Sequence, residues 1–235
     1  MKTIFCAVLA LSAPLLGRAP ELKPVPNPIT DHSPEALTKA GFTNMIQGDS
    51  LDGWAIYGSK AEFSVMNGVV SGRARNLRGN SFLCTEQLYR DFIYTFQFRF
   101  ESLDGNSGCM FRGLLNHKGR VNGYQCEHDP KGRAWTAGIY DEARRGWLFP
   151  KKSNQEHMAA FSKQGLRITK MDHWNTITIK AKGKHLQIWM NGELRTDFID
   201  DGKEATVMGF FGLQVHGGKK CDVQWRNIFV KELSE

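Results

Sequence analysis

Apolar and polar residues alternate most regularly over residues 91–101, DFIYTFQFRFE. Alternation with a period of two places successive side chains on opposite faces of a β-strand. The apolar face of the predicted strand carries Phe92, Tyr94, Phe96, Phe98 and Phe100. The other face carries Thr95, Gln97, Arg99 and Glu101. Because burial of one aromatic ring contributes about 2 kcal/mol, we expect the aromatic face to pack against a second sheet.

Turn signals separate many short strand-like segments in the rest of the chain. Asn67-Gly68 and Asn191-Gly192 each lie between apolar runs, which is the strongest short-range sequence signal for a β-hairpin. Two further strands are predicted near the C-terminus, in VMGFFGLQVHGG and CDVQWRNIFVKEL. Many short strands joined by turns are typical of a β-sandwich or barrel, so the predicted fold class is all-β.

One short helix is predicted near the N-terminus, in SPEALTKAG. Ser33 can cap it, Pro34 suits its first position, and Gly41 can end it. No long amphipathic helix is expected after residue 41. Residues 130–173 lack clean alternation and are rich in Gly, Arg and Trp. A long irregular insertion in a compact domain is often a functional loop, so this segment is a candidate for that role.

The first residues have the composition of an export signal. Residues 1–19 combine Lys2, an apolar run from Ile4 to Leu16 and the small residue Ala19, and the run is too short to span a bilayer. We predict a signal peptide over 1–19, a proline-rich linker over 20–32 and a single domain over 33–235. The protein is therefore expected in the periplasm or outside the cell, without a transmembrane segment.

Charge and cysteine content narrow the classes of partner. The chain has 31 Lys and Arg against 24 Asp and Glu, and loss of the signal peptide removes Lys2 and Arg18, which leaves 29 − 24 = +5. No dense basic run accompanies this excess, so nucleic acid is not an expected partner. The cysteines that remain are Cys84, Cys109, Cys126 and Cys221. An even number permits disulfides after export, and the lack of a CxxC pair disfavours a zinc site.

Two polar segments, NSGCMFRG and GYQCEHD, flank the loop GLLNHKGRVNG and predict an antiparallel hairpin. A symmetric register pairs Arg112 with Gly123, Met110 with Gln125, and Cys109 with Cys126. The period of two then sorts the side chains. One face carries Cys109, Phe111, Tyr124 and Cys126. The other face carries Met110, Arg112, Gln125 and Glu127. The first face is expected to enter the core, and the second to form a polar patch.

The same alternation recurs in GLQVHGG, where Gln214 and His216 share the face opposite Leu213 and Val215. On a concave sheet, Gln214 and His216 could join the hairpin's polar patch in one groove. Two simpler interpretations stay open at this point. Arg112 and Glu127 could form a plain cross-strand salt bridge on a solvated face, and His216 could be an exposed turn residue.

The irregular segment offers candidate substrate contacts. Trp135 and Trp147 would supply aromatic faces that suit the apolar face of a pyranose, and Arg145 could bind substrate oxygens. Loop packing and solvated charge are the alternatives for these residues. The chain contains no GxSxG, no HExxH, no phosphate loop and no dinucleotide fingerprint, which disfavours the enzyme classes that those motifs mark.

The order of segments is more specific than any single one. The segments are GFTNMIQGDSLDGW, FSVMNGVVSG, FLCTEQLYRDFIYTFQFRF, NSGCMFRG, GYQCEHD, YDEARRGW, HWNTITIKAKGKHLQIWMNGEL and GLQVHGGKKCDVQWRNIFVKEL. Together they resemble the 3-keto-disaccharide hydrolase domain family, from about residue 41 to about residue 233. The resemblance implies a concanavalin-like jelly-roll sandwich and an exported bacterial carbohydrate-active protein. It also implies substrates that are glycosides oxidised to a ketone at ring position three.

Such a ketone acidifies the proton on the neighbouring carbon, so a base can form an enolate and the anomeric oxygen can leave by elimination. Addition of water then gives net hydrolysis. Either Glu127 or His216 could be the base, with the other as the acid, and Arg112 and Gln125 could hold the ketone or enolate oxygen. No particular cofactor is predicted; a divalent metal could replace the cationic donor, with His128 and Asp129 as candidate ligands. The rival hypothesis is a non-catalytic, lectin-like carbohydrate-binding module, because the same sandwich often binds sugars without cleaving them.

Overall fold

The computed structural model describes residues 25–234 of the chain. Its helices are α1 (Pro34–Lys39) and α2 (Gln155–Ile168). Its strands are β1 (Thr43–Asn44), β2 (Trp54–Gly58), β3 (Glu62–Met66), β4 (Val69–Leu77), β5 (Ser81–Thr85), β6 (Phe92–Ser102), β7 (Ser107–Leu115), β8 (Val121–His128), β9 (Ile139–Glu142), β10 (Gly146–Phe149), β11 (Asn175–Lys182), β12 (His185–Met190), β13 (Glu193–Ile199), β14 (Phe210–Val215) and β15 (Gly218–Glu232). No helix within residues 25–234 is long and apolar enough to cross a membrane.

The strands form two antiparallel sheets. Sheet 1 has the order β13-β12-β11-β6-β15-β4-β3, with β1 also paired to β15. Sheet 2 has the order β10-β9-β8-β7-β14-β5-β2. The chain crosses between the sheets repeatedly. It passes from sheet 1 to sheet 2 between β6 and β7, returns to sheet 1 between β10 and β11, and visits sheet 2 once more in β14. This arrangement confirms the predicted all-β sandwich.

The core lies between the two sheets, where the predicted aromatic face of β6 is found. Phe92, Tyr94, Phe96 and Phe98 are buried, and Phe100 is half-buried against the same cluster. The Tyr94 ring stacks on Phe211 of sheet 2, with 4.0 Å between the ring centroids. The alternation in β6 was therefore correctly interpreted, and its apolar face joins the sheets.

The predicted turns and the N-terminal helix are also present. Asn67 and Gly68 have φ values of 51° and 69°, and Asn191 and Gly192 have φ values of 50° and 90°. This left-handed backbone is what a two-residue hairpin turn of this type requires. At the start of α1, the Ser33 side chain accepts a hydrogen bond from the Ala36 N–H, as its capping role predicts.

The predicted signal peptide lies outside the described residues. From residue 25 onward, the segment predicted as a linker lies against the outer face of sheet 1. Trp189 Nε1 donates to the Val25 carbonyl at 3.1 Å. Ile29 is buried in a small cluster with Leu37, Phe42 and Phe229. This part of the segment therefore covers apolar side chains of the sheet.

Helix α2 corrects the sequence analysis, which expected no further long helix and an irregular segment over 130–173. Asn154 caps the helix, and its buried side is narrow, with Phe161, Gly165 and Ile168. A glycine in the middle of the stripe weakens the apolar pattern from which a helix is predicted. A Cβ at Gly165 would lie 2.1 Å from the Ala134 carbonyl oxygen. The helix therefore approaches the backbone of the preceding loop, and glycine permits this contact.

The β7–β8 hairpin has the predicted register over most of its length. Cys109 lies opposite Cys126, and Met110 lies opposite Gln125. The register shifts between Phe111 and Leu114, and Arg112 has a φ of 49°. The predicted pairing of Arg112 with Gly123 is therefore wrong, because a β-bulge turns this residue away from the alternating pattern.

Candidate functional site

A cleft with a volume of about 490 Å³ lies on the outer face of sheet 2. Its floor is formed by side chains of β8 and β14, and its rim by the segments 104–106, 131–147 and 216–220. The polar and aromatic side chains that line it include Asn106, Gln125, Glu127, Lys131, Arg133, Tyr140, Trp147, Gln214 and His216. Five of the eight site residues predicted from sequence thus line one cleft: Gln125, Glu127, Trp147, Gln214 and His216.

The floor depends on a glycine between two polar residues. Gln214 of β14, Gly108 of β7 and Glu127 of β8 lie directly across from one another in sheet 2. Because Gly108 has no side chain, the space above it is occupied by Gln125. Because Gly108 is small, the side chain of Gln125 fits between Gln214 and Glu127, and the three long polar side chains lie next to one another.

These side chains form a directed chain of hydrogen bonds. Gln214 Nε2 donates to Gln125 Oε1 at 2.6 Å. Gln125 Nε2 in turn donates to Glu127 Oε2 at 2.9 Å. The amide of Gln125 is therefore fixed with its N–H groups toward the carboxylate. Gln214 Oε1 is buried and has no protein partner among the described residues, so it remains available to accept a hydrogen bond.

The carboxylate of Glu127 accepts hydrogen bonds from three side chains, and the residue is only 4% exposed. Its Oε1 accepts from Asn106 Nδ2 at 2.9 Å and from Arg133 Nη2 at 3.1 Å. Burial raises the pKa of Glu127 above the usual 4.5, although the donors Asn106, Arg133 and Gln125 act in the opposite direction. A buried carboxylate with a raised pKa, on the floor of an open cleft, is suited to proton transfer.

Arg133 connects this carboxylate to the aromatic wall. Its Nε also donates to Asp129 Oδ2 at 2.5 Å. The guanidinium lies over the rings of Trp135 and Trp147, at 5.0 Å and 5.1 Å from the ring centroids. Arg133 was not proposed from the sequence. Asn106 belongs to the NSG motif that drew attention to β7, whereas no periodic signal marks Arg133 in its loop.

The two tryptophans have different positions. Trp147 lines the cleft, and Trp135 packs behind it, edge to face, with 4.7 Å between the ring centroids. Trp135 is buried and its Nε1 donates to Ser162 Oγ of α2 at 2.9 Å. Trp135 therefore supports Trp147 and does not line the cleft. Tyr140, opposite Gln125 in β9, supplies a further aromatic lining residue.

His216 lies at the rim of the cleft and is exposed. Its Nδ1 is 2.6 Å from the Gly217 carbonyl oxygen, which leaves Nε2 without a protein partner among the described residues. With Nδ1 donating to this carbonyl, Nε2 is the nitrogen that can exchange a proton with a ligand.

Arg112 and Arg145 lie away from the cleft, contrary to their predicted placement. Arg112 is fully buried, donates to the Gly183 carbonyl at 2.6 Å and forms an ion pair with Asp91 at 2.8 Å. The β-bulge aims it at these groups. Arg145 forms ion pairs with Asp141 and with Asp200, the latter at 2.7 Å. These carboxylates occupy its guanidinium, so Arg145 joins the β9–β10 turn to the loop at residue 200.

His128 and Asp129 do not converge on a common point. His128 follows Glu127 along β8, so its ring lies on the opposite face of the strand and enters the core. There it stacks on Phe98, with 4.0 Å between the ring centroids. Asp129 is engaged by Arg133 and by the Lys131 N–H. Within the described part of the chain, no group of three or more His, Cys, Asp or Glu side chains could hold a metal ion.

The loop behind the cleft is held by a buried arginine of β13. Arg195 Nη2 donates to the Ala134 carbonyl at 2.9 Å, and its Nη1 donates to the Phe161 carbonyl of α2 at 2.6 Å. The guanidinium also lies 3.5 Å from the centroid of the Phe161 ring. Burial lowers the pKa of Arg195 to about 9. One side chain therefore fixes both the loop and the helix that packs on it.

The family model of the 3-keto-alpha-glucoside-1,2-lyase-like domain matches residues 41–231. The chain belongs to this family. Comparison with curated proteins gives no match. Membership confirms the family resemblance found in the sequence, and it covers nearly all of both sheets.

Solved structures with similar folds agree with a jelly-roll sandwich. A protein from Parabacteroides distasonis, assigned as a glycosyl hydrolase, is 16% identical; the match covers 89% of this chain and 100% of that chain, with a TM-score of 0.57. A Bacillus subtilis protein with a galectin-like fold is 12% identical, covering 77% and 90%, with a TM-score of 0.56. A carbohydrate-binding module from Bacillus subtilis is 16% identical, covering 77% and 96%, with a TM-score of 0.51.

Proposed function

We propose that this protein cleaves the glycosidic bond of 3-keto-glycosides, by elimination and then hydration, with Glu127 as the base. The observation that carries the proposal is the position of Glu127. Its carboxylate is almost fully buried, is held by three side-chain donors and lies on the floor of a cleft of about 490 Å³. The family description, which names a lyase of 3-keto-glucosides, supports this reaction class.

In the first step, Glu127 takes the proton from the carbon next to the ketone, and the electron pair of the broken C–H bond forms an enolate. The raised pKa of Glu127 favours this transfer, because it brings the basicity of the carboxylate closer to that of the enolate. Arg133 is the cation next to Glu127 and can stabilise the negative charge that moves onto the ketone oxygen.

In the second step, the enolate re-forms the ketone as the bond between the anomeric carbon and the leaving oxygen breaks. That oxygen takes a proton from His216, whose Nε2 is free to donate when protonated. Water then adds to the new double bond: its oxygen bonds to the anomeric carbon, and Glu127 returns the proton to the adjacent carbon. The sum is hydrolysis, and each protein group regains its initial protonation state once His216 is reprotonated by the added water.

The remaining lining residues suit a sugar ring. Trp147 and Tyr140 offer aromatic surfaces for the apolar face of a pyranose. Gln214 Oε1, buried and without a protein partner among the described residues, can accept a hydrogen bond from a sugar hydroxyl. Orientation by these groups would place the acidic C–H bond against Glu127.

Binding of a carbohydrate without cleavage is the second candidate function. Its support is that Trp147, Gln214 and Arg133 could hold a sugar without any proton transfer, and that a carbohydrate-binding module shares the fold. The two functions differ in what the cleft does with a bound 3-keto-glycoside, since only the first releases the aglycone.

The deciding experiment follows aglycone release from a 3-keto-glycoside by wild-type protein, Glu127→Gln and Glu142→Gln. Glu127→Gln keeps the shape and removes the base, so turnover should fall roughly 10²- to 10⁴-fold while binding persists. Glu142→Gln removes an equal charge from the same cleft. Because Glu142 pairs with Arg120 and not with the groups around Glu127, its replacement should lower turnover far less. Equal turnover in wild type and Glu127→Gln would contradict the assignment, and binding without release in wild type would favour the second function.

We also propose that the protein is exported through a signal peptide over residues 1–19, as the composition of that segment indicates. Expression in a bacterial host that has an outer membrane, and therefore a periplasm, should give a mature chain that begins near residue 20. N-terminal sequencing of the periplasmic fraction tests this directly. Recovery of a chain that starts at Met1 in the cytoplasm would contradict it.

A further inference from the structure

The outer face of sheet 1 lies on the opposite side of the sandwich from the cleft. Residues 25–44 cover one part of it, where Ile29, Leu37 and Phe42 pack on Phe229. The uncovered part includes the central strands β6 and β15. These two strands present Gln97, Arg99, Gln224 and Arg226 on this face, and the four residues alternate with buried core residues.

These four side chains form a fixed two-by-two array. Gln224 lies across from Arg99, and Arg226 lies across from Gln97. Arg99 Nε donates to Gln224 Oε1, and Arg226 Nε donates to Gln97 Oε1, both at 2.8 Å. The glutamine amides are themselves fixed.

Hydroxyl groups of the neighbouring strands orient both glutamines. Gln224 Nε2 donates to Ser71 Oγ at 3.1 Å. Gln97 Nε2 donates to Thr176 Oγ1 at 3.2 Å. The oxygen of each amide must therefore face its arginine, and both guanidiniums are held in place before any ligand arrives.

Trp174, in the loop between α2 and β11, completes the array. The guanidinium carbon of Arg226 lies 4.3 Å from the centroid of the indole ring, and that of Arg99 lies 4.9 Å from it. The indole is half-buried and so keeps part of its surface in solvent. An aromatic surface thus adjoins two oriented cations.

Among the residues that the structure describes, no carboxylate balances the charge of the two arginines. On the same face, Arg73 is paired with Glu101 and Arg75 with Asp222. Over residues 25–234, neither Arg99 nor Arg226 forms a salt bridge, and each uses only Nε for a hydrogen bond. Burial and the nearby charge of Arg99 lower the pKa of Arg226, which agrees with two like charges held close together.

We infer that Arg99, Arg226 and Trp174 form a second binding site, distinct from the cleft, for a carboxylate or sulfate group of an acidic polysaccharide. A guanidinium offers paired N–H donors whose geometry matches a planar oxyanion, and the Nη groups of both arginines are free for this purpose. The indole supplies a surface for the sugar ring that carries the anion. The choice of polysaccharide over other polyanions rests on the proposed carbohydrate function. The site would hold the protein on an acidic glycan while the cleft on the other sheet stays open.

Binding of polygalacturonate, dextran sulfate and neutral dextran by isothermal titration calorimetry tests the site, and the first two separate carboxylate from sulfate. Wild type should bind at least one of the acidic polymers, and not dextran, with an affinity that falls as salt is added. Replacement of Arg99 and Arg226 by Gln together should weaken this binding at least about tenfold. Replacement of Arg73 and Arg75 by Gln together removes the same two charges from the same face, but from existing ion pairs, so it should weaken binding much less.

A further variant, Trp174→Ala, and a further ligand, duplex DNA, serve as controls. Trp174→Ala keeps both charges and should weaken polysaccharide binding, and melting temperatures identify any variant that fails to fold. The inference is overturned if replacement of Arg73 and Arg75 weakens binding as much as replacement of Arg99 and Arg226, if neither acidic polymer binds, or if duplex DNA binds equally well with the same sensitivity to the variants. Turnover of a small 3-keto-glycoside is measured on the same samples. Lost polysaccharide binding with intact turnover, or the reverse, shows which of the two proposals has failed.

Discussion

A Cβ atom at Gly108 would lie 2.5 Å from Gln125 Cγ, so Gly108 leaves the space that the Gln125 side chain occupies. Gln125 needs this space to reach Glu127 Oε2, to which it donates at 2.9 Å. The position of the carboxylate on β8 therefore depends on a glycine of β7.

Gly108→Ala should displace Gln125 and lower turnover of a 3-keto-glycoside about tenfold or more, because the hold on Glu127 is lost. Substrate binding should change less, since Trp147 and His216 are not contacted. Steady-state kinetics measures both effects. Gly132→Ala is the matched control, because no atom lies within 4 Å of the Cβ that it would add. Equal activity of Gly108→Ala and wild type would show that Gln125 is not needed in this position.

Activity should rise with pH through the pKa of Glu127, since the base must be ionised, and this acidic limb should lie above the ordinary value of 4.5. The Asn106 hydrogen bond lowers that pKa. Asn106→Ala should therefore move the acidic limb of kcat/KM to higher pH. Asn80→Ala, at the same cleft but without a contact to Glu127, should leave the limb in place. A limb that moves to lower pH in Asn106→Ala would contradict the role of Glu127.

Protonation of His128 should destabilise the fold. Burial lowers its pKa from 6.5 to about 4, so the unfolded chain binds the proton more readily than the folded one. Neutral His128 contributes fully to the stability of the fold above the pKa of about 6.5 that it has in the unfolded chain. This stability is lost as the pH falls from about 6.5 towards about 4. The loss should reach about 2 kcal/mol at about pH 5 and about 3 kcal/mol in total.

Urea unfolding of wild type and His128→Phe, at neutral pH and at about pH 5, measures this loss. Phenylalanine keeps the stacking on Phe98 and cannot be protonated, so the variant should lose less stability on acidification. The variant also removes two ring nitrogens that have no hydrogen-bond partner within the described residues. The same loss in both proteins would show that other groups cause the acid sensitivity.

The cysteines should be unreactive thiols in the folded protein. Cys84, Cys109, Cys126 and Cys221 are all buried and free. Burial raises the pKa of Cys109 to about 12, and thiolate is the reactive form. A thiol reagent at mildly alkaline pH should modify none of them before unfolding and all of them afterwards. Mass spectrometry that finds Cys109 bonded to Cys126 would contradict this expectation.

The parts of the fold that follow from local pattern were predictable. The aromatic alternation of β6 and the Asn-Gly turns depend on neighbours in sequence, and both are present in the structure. Helix α2 was missed because Gly165 interrupts its apolar stripe, and the reason for that glycine is a contact with Ala134. Such a contact between distant elements leaves no periodic trace in the sequence.

The same distinction applies to the cleft. Gln125, Glu127 and Gln214 were found because they alternate with core residues on regular strands. Arg112 was misplaced because the β-bulge that turns it away becomes apparent only when β7 and β8 are paired. Arg133 was missed because the loop backbone, and not a period, brings it to Glu127.

The bonds made by Arg195 have an evolutionary consequence. The loop at Ala134 and the helix at Phe161 are anchored to the same guanidinium of β13. The exposed residues 151–153, which precede the Asn154 cap of α2, carry none of this anchoring. Insertions, deletions and substitutions there would leave the wall behind Glu127 undisturbed. Descendants of this protein could thus vary the length and sequence of 151–153 while they inherit the same arrangement of groups around Glu127.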